Sequence, residues 1–229
     1  MAESETFMAG DSRSSRMFYT VCRALVVYLS VSYTRTKIIG KENIPSQGAF
    51  LLAPIHRSNI DTPLAAAVTK RRMRFMGKDT IWKYRPVGWV LSALGAFPVS
   101  RGTADREALR RCIAVLEMGE PLVLFPEGTR QSGPVVHPLF DGATYVAAKA
   151  GVPIIPVGIG GSERVMPKGS KMIYPRKCVV VVGKPIITTS DSNERLPRSA
   201  LKDLSLHLST ELQRVFDEAQ ALAGTPNAY

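Results

Sequence analysis

The stretch Ala49-Phe50-Leu51-Leu52-Ala53-Pro54-Ile55-His56-Arg57-Ser58-Asn59-Ile60-Asp61-Thr62-Pro63 decides the fold. Residues 49–53 form a short, continuous apolar run, the pattern of a strand buried on both faces. Proline is tolerated in a helix only in its first turn, so Pro63 sets a helix start near Asp61. A strand that runs through a polar turn into a helix is half of a βαβ unit, and the rest of the chain repeats it. Residues 73–76, 96–99, 121–125, 153–159 and 178–182 have the same strand character, and 62–69, 87–94, 104–118 and 140–150 read as helices. A last helix near 199–222 closes the pattern. The expectation is a single α/β domain with a largely parallel central sheet flanked by helices. Ligands of such sheets sit outside the carboxyl ends of the strands, where His56 to Asp61 fall.

Composition narrows the field less sharply. With 45% hydrophobic and 21% charged residues in 229, the chain can fold around a core, which excludes a disordered or fibrous protein. A net charge of +11 favours a phosphate-bearing partner without choosing among nucleic acid, lipid and a soluble substrate. Cys22, Cys112 and Cys178 are scattered and odd in number, which fits a reducing cytosolic setting better than a disulfide scaffold.

Residues 1–15 read as a flexible leader, and their polar, acidic character does not fit a standard signal peptide. Residues 16–39 read as an apolar, amphipathic helix, with Phe18, Val21, Cys22, Leu25 and Leu29 at helical spacing, Arg16 and Arg35 at the ends and Arg23 inside. The apolar part is short for a span and carries an arginine where a span is driest. It is expected to lie in the headgroup layer with its arginines toward phosphates. A helix packed on the protein's own core, or a true span, are the alternatives.

Several common signatures are missing, including the Gly-x-Ser-x-Gly elbow, the phosphate-binding Gly-x-x-x-x-Gly-Lys loop and His-Glu-x-x-His. Gly158-Ile159-Gly160-Gly161 is followed by Glu163 where a dinucleotide fingerprint requires glycine. The histidines His56, His137 and His207 do not cluster with acids or cysteines at metal-ligand spacing. His56 and Asp61 are more promising. Five residues on one helix point about 140° apart, so the two meet only if His56 lies in the turn before the helix. A carboxylate on one ring nitrogen then fixes the tautomer and makes the other nitrogen a base for a substrate hydroxyl. The alternative is that Asp61 caps the helix and His56 is an ordinary strand-end residue.

Two further segments end strands in an arginine: Phe125-Pro126-Glu127-Gly128-Thr129-Arg130 and Gly95-Ala96-Phe97-Pro98-Val99-Ser100-Arg101. Arg101 and Arg130 would form a clamp for an anionic substrate, unless each is used in a surface ion pair, with Glu127 as one candidate partner.

These segments, with Val152-Pro153-Ile154-Ile155-Pro156-Val157, resemble the four ordered motifs of the glycerolipid acyltransferase family, most closely its 1-acylglycerol-3-phosphate O-acyltransferases. The resemblance runs from about Gly40 to Lys184 and implies that residues 40–229 form an acyltransferase domain. It implies transfer of a fatty acyl group from acyl-coenzyme A or acyl carrier protein, as co-substrate, to the sn-2 hydroxyl of lysophosphatidic acid. His56 is the implied general base and Asp61 its orienting partner. Arg101, Glu127, Gly128, Thr129 and Arg130 are the implied acceptor site, and Pro153 and Pro156 belong to a structural wall. It implies neither a metal nor any other cofactor. Phe97 stands where a smaller aliphatic residue is usual, which implies an altered acceptor pocket. The implied partners are a lysophospholipid, the acyl donor and a membrane surface, with no nucleic acid, and the implied location is the cytoplasmic face of a membrane.

The basic run Lys70, Arg71, Arg72, Arg74, Lys78, Lys83 and Arg85, opposed only by Asp79, is either a solvated face or a grip on anionic lipid or the donor. Glycerol 3-phosphate or another lysophospholipid is the alternative acceptor. A lipid-binding protein without catalysis and a nucleic-acid binder are the rival classes, the latter suggested by charge alone.

Overall fold

The computed structural model describes residues 13–99, 106–170, 172–188 and 197–228. Seven strands form one sheet: β1 (Lys37–Ile39), β2 (Leu51–Pro54), β3 (Arg74–Lys78), β4 (Ala96–Val99), β5 (Leu122–Val123), β6 (Ile154–Gly160) and β7 (Val179–Val182). Their spatial order is β1-β7-β6-β2-β5-β3-β4. Every neighbouring pair is parallel except β6 with β7. The six expected strands form, each end within two residues of its expected place. β1 was not expected, and it adds to the sheet edge by pairing Lys37, Ile38 and Ile39 with Val179, Val180 and Val181. Residues 16–39 are therefore not one helical segment: the helix ends at Tyr33, and Lys37–Ile39 belongs to the sheet.

The helices are α1 (Arg13–Tyr33), α2 (Asp61–Ala66), α3 (Arg85–Ala93), α4 (Arg106–Glu117), α5 (Gly142–Ala150), α6 (Ser162–Val165) and α7 (Arg198–Ala223). Contacts sort them into two groups, α1 with α2 and α3, and α4 with α5 and α7. The chain leaving β2 enters the first group, and the chain leaving the adjacent β5 enters the second. Where neighbouring parallel strands send their connections to opposite faces, a crevice opens at their carboxyl ends. His56 follows β2 and residues 125–130 follow β5, so topology alone brings them to that crevice.

β2 and β6 are buried along their whole length, which is why they read as continuous apolar runs. Pro156, inside a central strand, lies just past the end of the β7 ladder, where Gly183 donates to its carbonyl at 2.8 Å and no partner needs its missing N–H. Phe97 is fully buried in the core.

α7 buries a helical stripe of Leu208, Leu212, Val215, Phe216 and Ala219. Its backbone lies unusually close to β6. A Cβ on Gly158 would stand 2.1 Å from the Val215 carbonyl oxygen, and one on Gly160 2.2 Å from that of Ala219. The glycine pattern that resembled a broken dinucleotide fingerprint is thus the seat of a helix.

Three arginines of the basic run turn inward. Arg74 is buried and paired with Glu120. Arg71 donates to the carbonyls of Pro45 (2.9 Å) and Gly48 (2.5 Å) and lies over the Phe50 ring, and burial lowers its pKa. Arg72 lies over Tyr19. Lys70 and Lys83 are exposed; the side chains of Lys78, Asp79 and Arg85 lie outside the description.

Gly160→Ala is expected to push α7 off the sheet and cost about 1–3 kcal/mol, the usual range for overpacking. Urea denaturation of the variant measures it. An unchanged midpoint would mean that the helix shifts without loss.

Candidate active site

The catalytic candidates sit in the turn after β2. Asp61 opens α2, but its carboxylate faces backward. Oδ2 accepts from the backbone N–H of Arg57 and of Ser58, both at 2.6 Å, and lies 3.2 Å from His56 Nδ1. The residue preceding the helix, Ile60, makes no side-chain cap. The helix-cap alternative for Asp61 is therefore not what forms: the carboxylate holds the turn that carries the histidine. Asp61 is fully buried, and among the described residues its Oδ1 has no hydrogen-bond partner. A buried, under-satisfied carboxylate gains from positive charge on the adjacent imidazole.

The His56 ring stacks on Phe125 at 4.0 Å between centroids and is 13% exposed. With Nδ1–H donated to Asp61, Nε2 keeps its lone pair. Among the described residues Nε2 has no hydrogen-bond partner. Cys178 shares this environment, where burial first and the Asp61 carboxylate second push its thiol up to about 12, against a lowering hydrogen bond from Thr34. It stays a neutral thiol at neutral pH and does not compete as a nucleophile.

The turn after β5 is locked to the same histidine. Phe125 accepts from Gly128 N–H at 2.9 Å, with Pro126 and Glu127 between them. Gly128 has φ of +68°, and a Cβ there would stand 2.7 Å from the Phe140 ring, so both conformation and space require glycine. Gln131 N–H donates to the His56 carbonyl at 2.9 Å, which sets Arg130 beside the catalytic turn. Arg130 is half-exposed and makes no hydrogen bond or ion pair with a described residue. Thr129 is exposed, its hydroxyl accepting from Gln131 at 3.1 Å. Arg101 lies outside the described residues.

Glu127 departs from the acceptor-contact role. It is 2% exposed, and its carboxylate is taken up by the Arg57 guanidinium at 2.8 and 3.0 Å, the His56 N–H at 3.2 Å and the His137 N–H at 3.1 Å. Its ion pair is buried rather than superficial, and the partner is Arg57. That arginine also donates to the carbonyls of His56, Gly133 and Val135 and lies 5.0 Å from the Phe216 ring centre on α7. Arg57 was not singled out in the sequence. The available signal was an arginine inside the His56 to Asp61 turn, with a glutamate just past the end of another strand.

Beyond Asp61, Thr62 and Pro63 help line an apolar, half-open cavity of about 160 Å³ between α1, α2 and α3, together with Val26, Val27, Phe75 and Leu91. Among the described residues no group of three His, Cys, Asp or Glu side chains is placed to hold a metal.

A histidine backed by a carboxylate thus lies at the switch point of a parallel sheet, beside a turn bearing an arginine that pairs with no described residue. Residues 35–160, more than half of the chain, match the model of the Acyltransferase family, and the chain belongs to that family. It is 30% identical, over 81% of its length, to a chloroplastic 1-acyl-sn-glycerol-3-phosphate acyltransferase of Brassica napus, and 31% identical, over 90%, to the 1-acyl-sn-glycerol-3-phosphate acyltransferase of Streptococcus pneumoniae. It spans 55% of the first relative's length and 75% of the second's. The crystal structure of the 1-acyl-sn-glycerophosphate acyltransferase of Thermotoga maritima has the same fold, with a TM-score of 0.73 at 24% identity, covering 92% of this chain and 85% of that one.

Glu127→Gln separates fastening from substrate contact. It leaves a buried guanidinium without its counter-charge, so a loss of about 3–5 kcal/mol in urea unfolding is expected, with a fall in kcat as the His56 turn loosens. A rise in acceptor KM alone, at unchanged stability, would assign Glu127 to the acceptor.

Proposed function

We propose that the protein transfers a fatty acyl group from a thioester, on coenzyme A or acyl carrier protein, to the sn-2 hydroxyl of 1-acylglycerol 3-phosphate, yielding phosphatidic acid. The observation that carries this reading is the His56 Nδ1 to Asp61 Oδ2 contact of 3.2 Å beside Arg130. The names of the relatives support the choice of acceptor.

In this mechanism His56 Nε2 takes the hydroxyl proton as the oxygen attacks the thioester carbonyl. The C–S bond then breaks, and the imidazolium returns the proton to the departing thiolate. Asp61 holds the ring tautomer and balances its transient charge. The hydroxyl needs only a base and an adjacent electrophile, so this mechanism has no step for a metal or a covalent acyl-enzyme. Arg130, with Arg101, binds the acceptor phosphate through the planar guanidinium fork. The apolar cavity beside Pro63 receives part of a hydrocarbon chain.

We further propose that the protein works at the cytoplasmic face of a membrane, held by α1. The geometry of α1 supports this in an unexpected way. Arg23 does not reach outward: its guanidinium donates to the carbonyl of Ala66 at 2.6 Å and to that of Thr69, at the end of α2. The residues turned outward are Met17, Val21, Leu25, Tyr28 and Leu29, each more than half exposed. The core-packing reading describes the inner face, with Arg23 reversed from its expected direction, and the exposed apolar face supports the headgroup-layer reading. Among the described residues no helix is long and apolar enough to cross a membrane.

Purified protein given acyl-coenzyme A and acyl carrier protein donors in parallel, with lysophosphatidic acid, glycerol 3-phosphate and other lysophospholipids as acceptors, tests the reading through thiol release and product identity. His56→Ala is expected to slow turnover about 10²- to 10⁴-fold at unchanged stability. Turnover within a few-fold of wild type would refute the base assignment. Arg130→Ala should raise KM for phosphorylated acceptors while largely sparing kcat, because phosphate contacts exist in ground and transition states alike. Equal damage with an acceptor lacking phosphate would refute the clamp.

A further inference from the structure

The loop between α6 and β7 is not used by the mechanism, yet its two ends have different attachments. At its start, the Ser58 hydroxyl donates to the Met166 carbonyl at 2.9 Å, and Asn59 Nδ2 lies 3.8 Å from the Met166 sulfur, so the loop is fastened to the His56 turn. Farther along it presents Met172, Ile173 and Tyr174 to solvent, at 62%, 50% and 41% exposure. Three consecutive large, largely exposed side chains on a loop are costly in water, and none of them belongs to the core.

The tip is not isolated. The Tyr33 hydroxyl, at the carboxyl end of α1, donates to the Ile173 carbonyl at 2.9 Å. At the other end of α1, Phe18 meets Trp89 of α3 with ring centroids 5.3 Å apart, and Trp89 is 64% exposed. The outward stripe of α1 therefore continues at one end into the 172–174 tip and at the other into α3.

Charge selects the occupant of this face. Segments 13–41, 82–99 and 166–178 contain no Asp or Glu, while every one carries Lys or Arg. Arg16, Arg35, Lys37, Lys83, Lys168 and Arg176 are exposed on them. An apolar strip bordered by cations and free of carboxylates matches a bilayer with anionic headgroups, where each cation near the surface adds attraction and the apolar residues bury in the acyl boundary.

We infer that the 172–174 tip inserts into an anionic bilayer as a second contact beside α1, with Trp89 as a third, so that the bilayer holds the loop that buttresses the His56 turn. This rests on the reading that the acceptor is a membrane lipid, and it goes beyond that reading by naming the inserted residues outside α1 and their link to the site.

The test uses the full chain and vesicles of equimolar phosphatidylcholine and phosphatidylglycerol, with pure phosphatidylcholine as control. Cys112 and Cys178 are buried, so Ile173→Cys in a Cys22→Ser background accepts a polarity-sensitive fluorophore at one place. Anionic vesicles should shift its emission to the blue and raise its intensity. The double variant Met172→Asp with Ile173→Asp should bind these vesicles about tenfold more weakly or worse, since two apolar side chains lose their burial. It should turn over vesicle-embedded acceptor more slowly and keep its rate on a short-chain acceptor dissolved as monomers, with an unchanged thermal midpoint. If the wild-type protein sediments with vesicles while the probe stays silent, the tip is not a contact and α1 anchors alone; the inference then fails and the proposed function stands. If the wild type does not sediment, both fail. A solution dimer that the double variant dissociates would assign the face to a second copy and overturn the inference.

Discussion

The buried ion pair between Arg57 and Glu127 is the constraint on which the site depends. Both side chains are 1% exposed, and removing two charges from water costs several kcal/mol per ion before their attraction is counted. Such a pair persists only when the remaining polar atoms are satisfied. Here Arg57 reaches three backbone carbonyls and Glu127 accepts two backbone N–H groups. Those backbone groups belong to the loops that leave β2 and β5, so satisfying the charges fixes the loops relative to each other. The ring of His56 is then held from two directions, by Asp61 through Nδ1 and by Phe125 through stacking. A base whose position is set by buried charges and backbone amides needs little reorganisation when it takes a proton.

The same economy of polar groups governs α1. A helix with apolar residues on all sides needs two apolar surroundings, and an arginine in its middle needs acceptors. Arg23 finds them in the carbonyl of Ala66, the last residue of α2, and in that of Thr69 just beyond it. The arginine thereby joins α1 to α2, and the outward stripe is left without any charge. Had Arg23 faced outward, the Ala66 carbonyl would have lost this donor and the outer face would have been split.

The parallel strands were legible because a strand covered on both faces shows as an unbroken apolar run, as residues 153–159 do. β1 was not, because three residues of which one is lysine show no period, and its place comes from pairing with β7 rather than from its own pattern. The reversal at β7 was invisible for a related reason: Val179–Val182 is equally apolar in either direction. In the site, the pairing of His56 with Asp61 followed from the position of Pro63, a purely local constraint. The partner of Glu127 did not, because Arg57 and Glu127 are 70 residues apart and a charged residue in a polar turn reads as solvated until the fold buries it. The glycines at 158 and 160 were visible but had no role once the dinucleotide fingerprint failed at Glu163, since a close helix leaves the same mark on a strand as a close ligand does.

The charge surplus acquires a different meaning once these residues are placed. A count of +11 describes the chain and not its surface. Arg57 and Arg74 are consumed in ion pairs inside the molecule, Arg23 and Arg71 in bonds to backbone carbonyls, and Arg72 lies over a tyrosine ring. Inward arginines act as connectors, each joining segments distant in sequence through a fork of donors that lysine does not have. The long-range field is set by the cations that remain outside, and near the outward face of α1 these lie on segments without a single carboxylate. Electrostatic attraction to an anionic surface is strongest where opposing charges are absent within a Debye length of about 8–10 Å, so an acid-free border orients the molecule more effectively than a larger but mixed surplus spread over its whole surface.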